Sequence, residues 1–330
     1  MKTEIKTIQK TQLKSSLFQR IIKIDEVGVF VALVVISVGL ALTTKNFTNP
    51  VNIIQVARET AYFGIMAVGM VFVISQGDID ISVGAIYNLS AIGMAYALAH
   101  GLPIGLVIPV GLLIGAILGL FNGAIAVFLK LPTIIVTLGT MTMYQGLSLV
   151  VSNATTISNF PTNNWFFNVL GAKILGIYSS VVVMVIVAII GYILYSHTSF
   201  GRHVCAIGAN LQAAKYAGIK VDKNRIIVMT LMGVISAISG MTTFAFLAAA
   251  DPSIGNGSNM TVIAAAIIGG ASLAGGAGSI LGALIGSFII SVIRDGLVLL
   301  SVSIYWQGVV TGAVIIAAVA LDYIIKRRRV

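Results

Sequence analysis

The stretch Gly201–Gly218 reads GRHVCAIGANLQAAKYAG and is the densest polar stretch between the two termini. It lies between two long apolar segments, begins and ends with glycine, and contains Arg202, His203 and Lys215. A polar, partly helical loop of this size between two membrane spans predicts a surface that contacts a partner in the aqueous phase. We expect that partner to be a motor that this chain itself lacks.

The composition is that of an integral membrane protein with several spans. Of 330 residues, 58% are hydrophobic and only 9% are charged, whereas soluble domains carry about 25% charged residues. The formal net charge is +10. The basic residues cluster at both ends and in the loop that begins at residue 201 and continues through Arg225, here called the basic loop. Membrane topology therefore explains them better than a nucleic-acid partner does. Cys205 is the single cysteine, which excludes an internal disulfide.

Apolar segments predict an all-α protein with about ten transmembrane helices. Residues 1–26 form a basic arm, either an amphipathic helix on the membrane surface or a solvated tail. Residues 27–325 form the transmembrane domain, and residues 326–330 form a basic tail. The predicted spans are roughly 27–42, 57–75, 81–98, 103–129, 133–151, 175–195, 226–247, 251–278, 279–297 and 306–325.

The distribution of Lys and Arg predicts the orientation. The arm, the basic loop and the tail are all expected in the cytoplasm, which requires an even number of spans. The uncharged loop 152–171 then lies outside. The apolar core of the eighth span, residues 260–270, gives only about 17 Å of helix against a hydrocarbon core of about 30 Å. We therefore expect a broken span there; eight spans with two re-entrant pieces would fit as well.

Glycines recur at four-residue spacing in two predicted spans, at positions 111, 115, 119 and 123 and at positions 278, 282 and 286. Small residues at this spacing predict close approach of helix backbones. Together with other weak similarities, the two ladders hint at an inverted five-plus-five repeat. Chance resemblance between glycine-rich helices explains them equally well.

Two acids, Asp78 and Asp80, stand alone in a long apolar region. A carboxylate at membrane depth costs about 2.5–3.5 kcal/mol, which makes each a functional candidate. One interpretation is structural: Asp80 or Ser82 accepts free backbone N–H groups at the start of the third span. The other is a direct place in a transport path. A proton relay is disfavoured, because no intramembrane His, Lys or further acid is placed to continue it.

Other polar residues extend the list of candidates. Each uncharged one is either path-lining or part of an interhelical hydrogen bond. Arg294 and Asp295 are expected to pair with each other or with an outer polar loop. An irregular stretch from residue 251 is expected to meet an external partner or solute. The path candidates are Asp78, Asp80, Ser82, Asn88, Asn122, Gln145 and Gln307, and the external contact candidates are Asp251, Asn256 and Asn259.

No motif for enzyme chemistry is found. The glycine-rich stretch 269–278 lacks the Gly-Lys-Ser/Thr end that a nucleotide loop requires, and the three histidines lack metal-ligand spacing. We therefore expect no catalytic residue, metal or cofactor in this chain.

Several motifs, taken together and in order, resemble the permease subunits of bacterial ABC sugar importers. The closest group is the ribose type, which also contains xylose, galactose and autoinducer-2 permeases. The resemblance covers about residues 46–322. In the usual pattern the first motif has a second glycine, where this chain has Asp78. The motifs are GDIDISVG (77–84), LFNGA (120–124), TLGTM (137–141), the stretch 201–219, and IIGGASLAGGAG (267–278).

The resemblance implies a ten-helix fold of the cobalamin-importer type in the bacterial cytoplasmic membrane. It implies a second permease copy, identical or related, cytoplasmic ATPase subunits that hold ATP and Mg²⁺, and an external sugar-binding protein. Stretch 201–218 matches the coupling loop that docks on the ATPase. We expect bulky or acidic residues at Arg202 or Gly208 to uncouple transport without unfolding the protein. The coupling-loop residues are Gly201, Arg202, Gly208, Asn210, Ala214, Lys215 and Gly218.

Several functions stay open at this point. Among sugars the resemblance favours a pentose, with ribose first. Within the ABC class the alternatives are nucleoside, branched-chain amino-acid and autoinducer-2 permeases. Outside it, the alternatives are a secondary transporter or channel that needs no ATPase, and a membrane anchor with no path.

Overall fold

The computed structural model describes residues 25–303, 306, 308–314, 316, 317 and 320. Nearly all of the basic arm, the basic tail and Gln307 lie outside the described residues. Within this part of the chain the structure is helical apart from one short hairpin. In chain order the elements are α1 (Asp25–Thr43), α2 (Pro50–Ser75), α3 (Val83–Ala99), α4 (Ile104–Phe128), α5 (Thr133–Ser152), α6 (Trp165–Leu170), β1 (Lys173–Ile174), β2 (Ile177–Tyr178), α7 (Ser179–His197), α8 (Ser199–Ala209), α9 (Leu211–Tyr216), α10 (Val221–Leu247), α11 (Ser258–Ile268) and α12 (Ile280–Leu299).

Seven of these helices are long and apolar enough to cross a membrane: α1, α2, α4, α5, α7, α10 and α12. Helices α3 and α11 are apolar but shorter. The 11 residues of α11 confirm the expectation of a short helix in the eighth predicted span. The chain is therefore a helical membrane protein with several spans.

Two helices begin several residues earlier than the apolar pattern predicts. Helix α2 begins at Pro50, because Asn49 Oδ1 accepts the N–H of Val51 at 2.9 Å and proline fits a first helical turn. Helix α10 begins at Val221 and thus includes the polar residues Asp222 and Arg225. Hydropathy alone misses such polar first turns, because they lie beyond the apolar segment.

Helices α2 and α10 form the centre of the bundle. The main hydrophobic core combines buried residues of α2, α10, α11 and α12, and α2 is buried along most of its length. By contrast, α1, α4, α5 and α7 expose large apolar side chains. Since lipid is as apolar as these side chains, such faces are suited to the membrane.

Both glycine ladders are close-packing surfaces, as predicted. A side chain at Gly115 or Gly119 in α4 would overlap the backbone of α10, at Gly233 and Met229 respectively. In α12 the same holds for Gly286 against Ala265. The missing side chains therefore let α4 lie on α10 and α12 lie on α11.

Irregular backbone connects consecutive helices of the bundle at three places. The segments are 76–82 between α2 and α3, 248–257 between α10 and α11, and 269–279 between α11 and α12. Non-helical backbone at membrane depth is tolerated only where protein or a water-filled cavity surrounds it. These segments are thus natural places for polar chemistry.

Candidate functional site: coupling helices, buried acids and a polar cleft

The basic stretch 201–218 forms most of α8 and all of α9, which agrees with the predicted partly helical loop. Thr198 Oγ1 accepts the N–H of Gly201 at 3.3 Å at the start of α8. Asn210 Oδ1 accepts the N–H of Ala213 at 2.9 Å and begins α9. Gly218 ends the stretch with a φ of +81°, a conformation that favours glycine. The two caps divide the stretch into two short helices at an angle.

These two helices have an inner and an outer face. Ile207 of α8, Ala214 of α9 and Val221 of α10 are buried together in a small cluster. Arg202, Asn210 and Lys215 are exposed, and Tyr216 is 91% exposed. Of the predicted coupling residues, Ala214 therefore packs inward, whereas Arg202, Asn210 and Lys215 present polar groups to the outside.

Gly201 and Gly208 are packing residues. A side chain at Gly201 would overlap the carbonyl of Tyr195, and one at Gly208 would overlap the carbonyl of Ser75. At Gly208 an added Cβ would also lie 2.7 Å from the nitrogen of Gly276. The expectation that a bulky residue at Gly208 leaves the fold intact is therefore wrong; Arg202 is the position that tests the surface alone.

Gly208 belongs to a junction of three elements. The N–H of Gly276 donates to the carbonyl of Ser75 at 2.8 Å, so segment 269–279 is bound to the end of α2. The hydroxyls of Ser75 and Tyr195 are hydrogen-bonded at 2.7 Å, and Cys205 Sγ in α8 donates to Tyr195 at 3.2 Å. Helix α8 thus contacts the ends of α2 and α7 directly.

Asp78 is held by side chains from three elements. Arg225 Nη2 lies 2.7 Å from Asp78 Oδ1, and Arg225 Nε donates to Oδ2 at 3.0 Å. Thr133 Oγ1 donates to Oδ1 at 2.7 Å, and Gln76 Nε2 donates to Oδ2 at 2.9 Å. The side chain of Asp78 is only 9% exposed. The charge that replaces the usual glycine is therefore paired.

Asp80 and Ser82 lie in a separate, fully buried network. Asp80 Oδ1 accepts the N–H and the hydroxyl of Ser82 at 2.8 and 2.6 Å. Asn122 Nδ2 donates to Ser82 Oγ at 2.8 Å, and Tyr144 donates to Asn122 Oδ1 at 2.9 Å. Among the described residues, Asp80 Oδ2 has no hydrogen-bond partner. This network joins segment 76–82, α4 and α5.

The predicted capping contact is wrong for Ser82 and is found in part for Asp80. Ser82 stands at the N-cap position of α3, but its side chain makes no capping hydrogen bond. Asp80 Oδ1 accepts the N–H of Ser82, a backbone group at the start of the predicted third span and one residue ahead of α3. Asp80 therefore holds the turn that leads into α3.

Within the first two turns of α3, the polar candidates meet segment 248–257. Asn88 Nδ2 donates to the carbonyls of Asp251 and Ile254, and the first of these contacts measures 3.1 Å. Gln145 Nε2 in α5 lies 3.3 Å from Asn256 Oδ1. The structure therefore brings together path candidates and external contact candidates that are far apart in sequence.

The three external contact candidates differ in their surroundings. Asn256 is exposed and Asp251 is half-buried, whereas Asn259 is buried within α11. The N–H of Ser253 donates to Asp251 at 2.7 Å and the Thr156 hydroxyl donates at 2.8 Å, and these hydrogen bonds lower the pKa of Asp251. Asp251 therefore keeps its negative charge at neutral pH.

A cleft of about 760 Å³ opens beside segment 248–257. This volume is in the usual range for small-molecule sites. Sequence reasoning missed most of its lining, because hydroxyl and aromatic residues in apolar helices give no local signal. The polar and aromatic lining consists of Tyr62, Phe63, Tyr87, Asn256, Ser258, Thr261, Arg294 and Thr311, and the apolar lining includes Met66, Ile254, Met260 and Ile316.

Arg294 does not pair with Asp295. Arg294 Nε lies 3.6 Å from Glu59 Oε1, and the two side chains are 29% and 35% exposed. Asp295 instead accepts from Asn52 Nδ2 at 2.8 Å. Both residues thus contact α2, and the expectation of a mutual pair or of a pair with an outer polar loop is wrong.

The arrangement defines a class: a multi-span helical membrane protein with a partly polar cleft between its helices and with exposed, basic surface helices next to the end of α2. The chain belongs to the family described as branched-chain amino acid transport system / permease component, which matches residues 52–319. The predicted permease resemblance is confirmed. The family and the seven long apolar helices make it a multi-pass protein of the inner membrane.

Similar proteins cover nearly the whole chain. The ribose import permease protein RbsC of Bacillus subtilis (strain 168) is 38% identical over 323 residues, 98% of each chain. The D-allose transport system permease protein AlsC of Escherichia coli (strain K12) is 36% identical over 92% of this chain and 93% of its own. The xylose transport system permease protein XylH of Haemophilus influenzae is 33% identical over 91% of this chain and 97% of its own. No solved structure matches the chain significantly.

Proposed function

We propose that this chain is the transmembrane permease subunit of an ABC importer that carries a monosaccharide, with ribose first among the candidates. The observation that carries the proposal is the end-to-end similarity to permeases named for ribose, allose and xylose. All three names specify sugars, whereas the family description specifies branched-chain amino acids. At 38% identity over nearly the full length, the ribose permease has the greater weight.

The cleft supports a sugar. Two tyrosines and the side chains of Asn256, Ser258 and Thr261 line it. A sugar needs several neutral donors and acceptors, and aromatic rings cover its apolar faces. We propose that the cleft is part of the solute path and that Asn88 and Gln145 shape its wall.

The driving force comes from outside the chain in this proposal. Cytoplasmic ATPase subunits hold ATP and Mg²⁺ and dock on the exposed face of α8 and α9, with Arg202 and Lys215 in the contact. A sugar-binding protein delivers the solute to the opposite end, near Asp251 and Asn256. A second permease copy completes the path, with ten spans per copy, both termini in the cytoplasm and the cobalamin-importer type of fold.

Reconstitution of the purified complex tests the proposal. The chain is extracted with a C-terminal tag, its co-purifying subunits are identified, and uptake into proteoliposomes is measured for ribose, xylose, allose, a nucleoside, autoinducer-2 and leucine. We expect an ATPase subunit to co-purify and ribose uptake to require ATP. Uptake without ATP by this chain alone would establish a secondary transporter or channel. ATP-dependent uptake of leucine only would establish an amino-acid permease.

A pair of charge reversals tests the docking face. Arg202→Glu places an acid on the exposed face of α8, and Lys173→Glu makes the same change in the exposed hairpin at the other end of α7. We expect the first variant to lose the ATPase subunit during purification and the second to keep it. Equal retention in both variants would contradict docking at α8.

A further inference from the structure

The ion pair between Asp78 and Arg225 joins parts of the chain that no local pattern connects. Arg225 lies in the first two turns of α10, and Asp78 lies in segment 76–82 between α2 and α3. Arg225 Nη2 also donates to Thr133 Oγ1 at 2.9 Å, at the start of α5. One guanidinium therefore connects the ends of α2, α5 and α10.

Arg225 is close to the proposed coupling helices, α8 and α9, along the chain and in space. Helix α10 follows α9 after only four residues. Val221, one turn before Arg225, packs with Ile207 of α8 and Ala214 of α9 in the small buried cluster. A movement of α8 and α9 therefore reaches the first turns of α10 through packed side chains.

Helix α8 contacts segment 76–82 by a second route. Gly208 of α8 lies against the carbonyl of Ser75, the last residue of α2, and a Cβ added at Gly77 would lie 3.8 Å from the Cα of Gly208. The ion pair links the far ends of these two routes, since Asp78 follows Ser75 and Arg225 follows Val221. The result is a closed frame made of α8, α9, the start of α10 and segment 76–82.

We propose that Asp78 is a positioning residue for transport: it locks the first turns of α10 to segment 76–82, so that movement of the coupling helices displaces both as one body. Both carboxylate oxygens accept two hydrogen bonds each. A carboxylate that accepts four hydrogen bonds, two of them from a bidentate arginine, has a fixed geometry and resists sliding of α10 past segment 76–82. The inference rests on the proposed function, because a transmission element requires a motor.

The test separates transmission from simple stability. Asp78→Asn and Arg225→Gln each leave one charge unpaired, whereas the double variant D78N/R225Q leaves none. We expect the double variant to recover the unfolding temperature that the single variants lose. We also expect its solute uptake per ATP hydrolysed to stay about tenfold below that of the native complex, the size of a typical coupling between sites. A role in stability alone predicts that both quantities recover together.

Two further variants complete the experiment. Arg225→Lys keeps both charges but loses the bidentate contact. Its solute uptake per ATP hydrolysed should fall between the native and double-variant values. Asp295→Asn makes the same acid-to-amide change at a residue that accepts a hydrogen bond from the neutral Asn52, and its uptake per ATP should stay unchanged. A native ratio in D78N/R225Q or in Arg225→Lys overturns the positioning role. If the native complex itself shows no ATP-dependent uptake, the proposed function fails and the positioning role fails with it.

Discussion

Two ion pairs of this protein, Asp78–Arg225 and Arg294–Glu59, differ in how completely other protein groups satisfy their charges. The Asp78–Arg225 pair has a contact of 2.7 Å and further bonds from Thr133 and Gln76. The Arg294–Glu59 pair has a single contact of 3.6 Å, is about one-third exposed and borders the cleft. The first pair is saturated by protein, whereas the second retains donors and acceptors for a solute. The proposed transmission of movement from α8 and α9 needs the first arrangement, and the proposed recognition of a solute needs the second.

The largest expected effect follows from breaking the saturated pair. Arg225→Gln leaves the carboxylate of Asp78 buried without its cation, which costs about 3–5 kcal/mol. The measurement is the unfolding temperature in detergent. Glu59→Gln breaks the half-buried Arg294–Glu59 pair and should lower stability by less than about 1 kcal/mol, because the single contact is long and both side chains are partly exposed. Equal losses in the two variants would contradict the distinction between the two pairs.

The next effect concerns the junction that supports the saturated pair. Gly208→Ala places a methyl group against the carbonyl of Ser75, and such overpacking costs about 1–3 kcal/mol. Gly139 in α5 has nothing within 4 Å of an added Cβ, so Gly139→Ala is the matched control. That control should leave the unfolding temperature unchanged or raise it slightly, because alanine favours a helix. An unchanged temperature in Gly208→Ala would show that the junction is loose.

A smaller effect is expected from the half-buried Arg294–Glu59 pair, and it should appear in the kinetics of solute uptake. Arg294→Gln removes a donor that lines the cleft, and we expect the KM for solute uptake to rise about tenfold, the loss of one charged hydrogen bond. Stability should change by less than about 1 kcal/mol. Uptake kinetics in proteoliposomes measure the first quantity and thermal unfolding the second. An unchanged KM would remove Arg294 from the solute path.

The smallest effect belongs to Asp251, in segment 248–257. Its pKa is lowered in the folded protein by the N–H of Ser253 and by the hydroxyl of Thr156, relative to an ordinary value of 3.8. The ionised carboxylate therefore contributes stability above pH 3.8, and that contribution is lost as the pH falls through the lowered pKa. Asp251→Asn should unfold at a slightly lower temperature than the native protein at pH 6, and the difference should vanish on acidification. A difference that grows in acid would contradict the lowered pKa.

Local pattern predicts the framework of this protein well. The long apolar helices, the short helix at residues 258–268 and both glycine ladders follow from hydropathy and spacing, which are properties of neighbouring residues. The polar partners do not follow, because they are distant in sequence: Asp78 and Arg225 are 147 residues apart. The spacing of Asp80 before α3 predicts a contact with backbone N–H groups at the start of this helix, but it does not predict that the group is the N–H of Ser82, one residue ahead of α3.

The cleft and the glycine junction were hidden for the same reason. Tyr62, Tyr87 and Thr261 come from three different elements, and each is an ordinary residue of an apolar helix. The polar stretch around Gly208 predicts a surface position. Its neighbours in the fold, Ser75 and Gly276, are distant in sequence, so local pattern does not predict that they pack against α8.

The central position of α2 has a consequence for biosynthesis. It is the least apolar of the seven long spans and carries Arg58 and Glu59, yet it is among the first to leave the ribosome. The helices that enclose it, α10 and α12, are synthesised more than 140 residues later. Until they arrive, this helix must meet lipid or the insertion machinery with its charges uncovered. The protein therefore completes its assembly late, and chain termination before α12 should produce a species that membrane quality control removes.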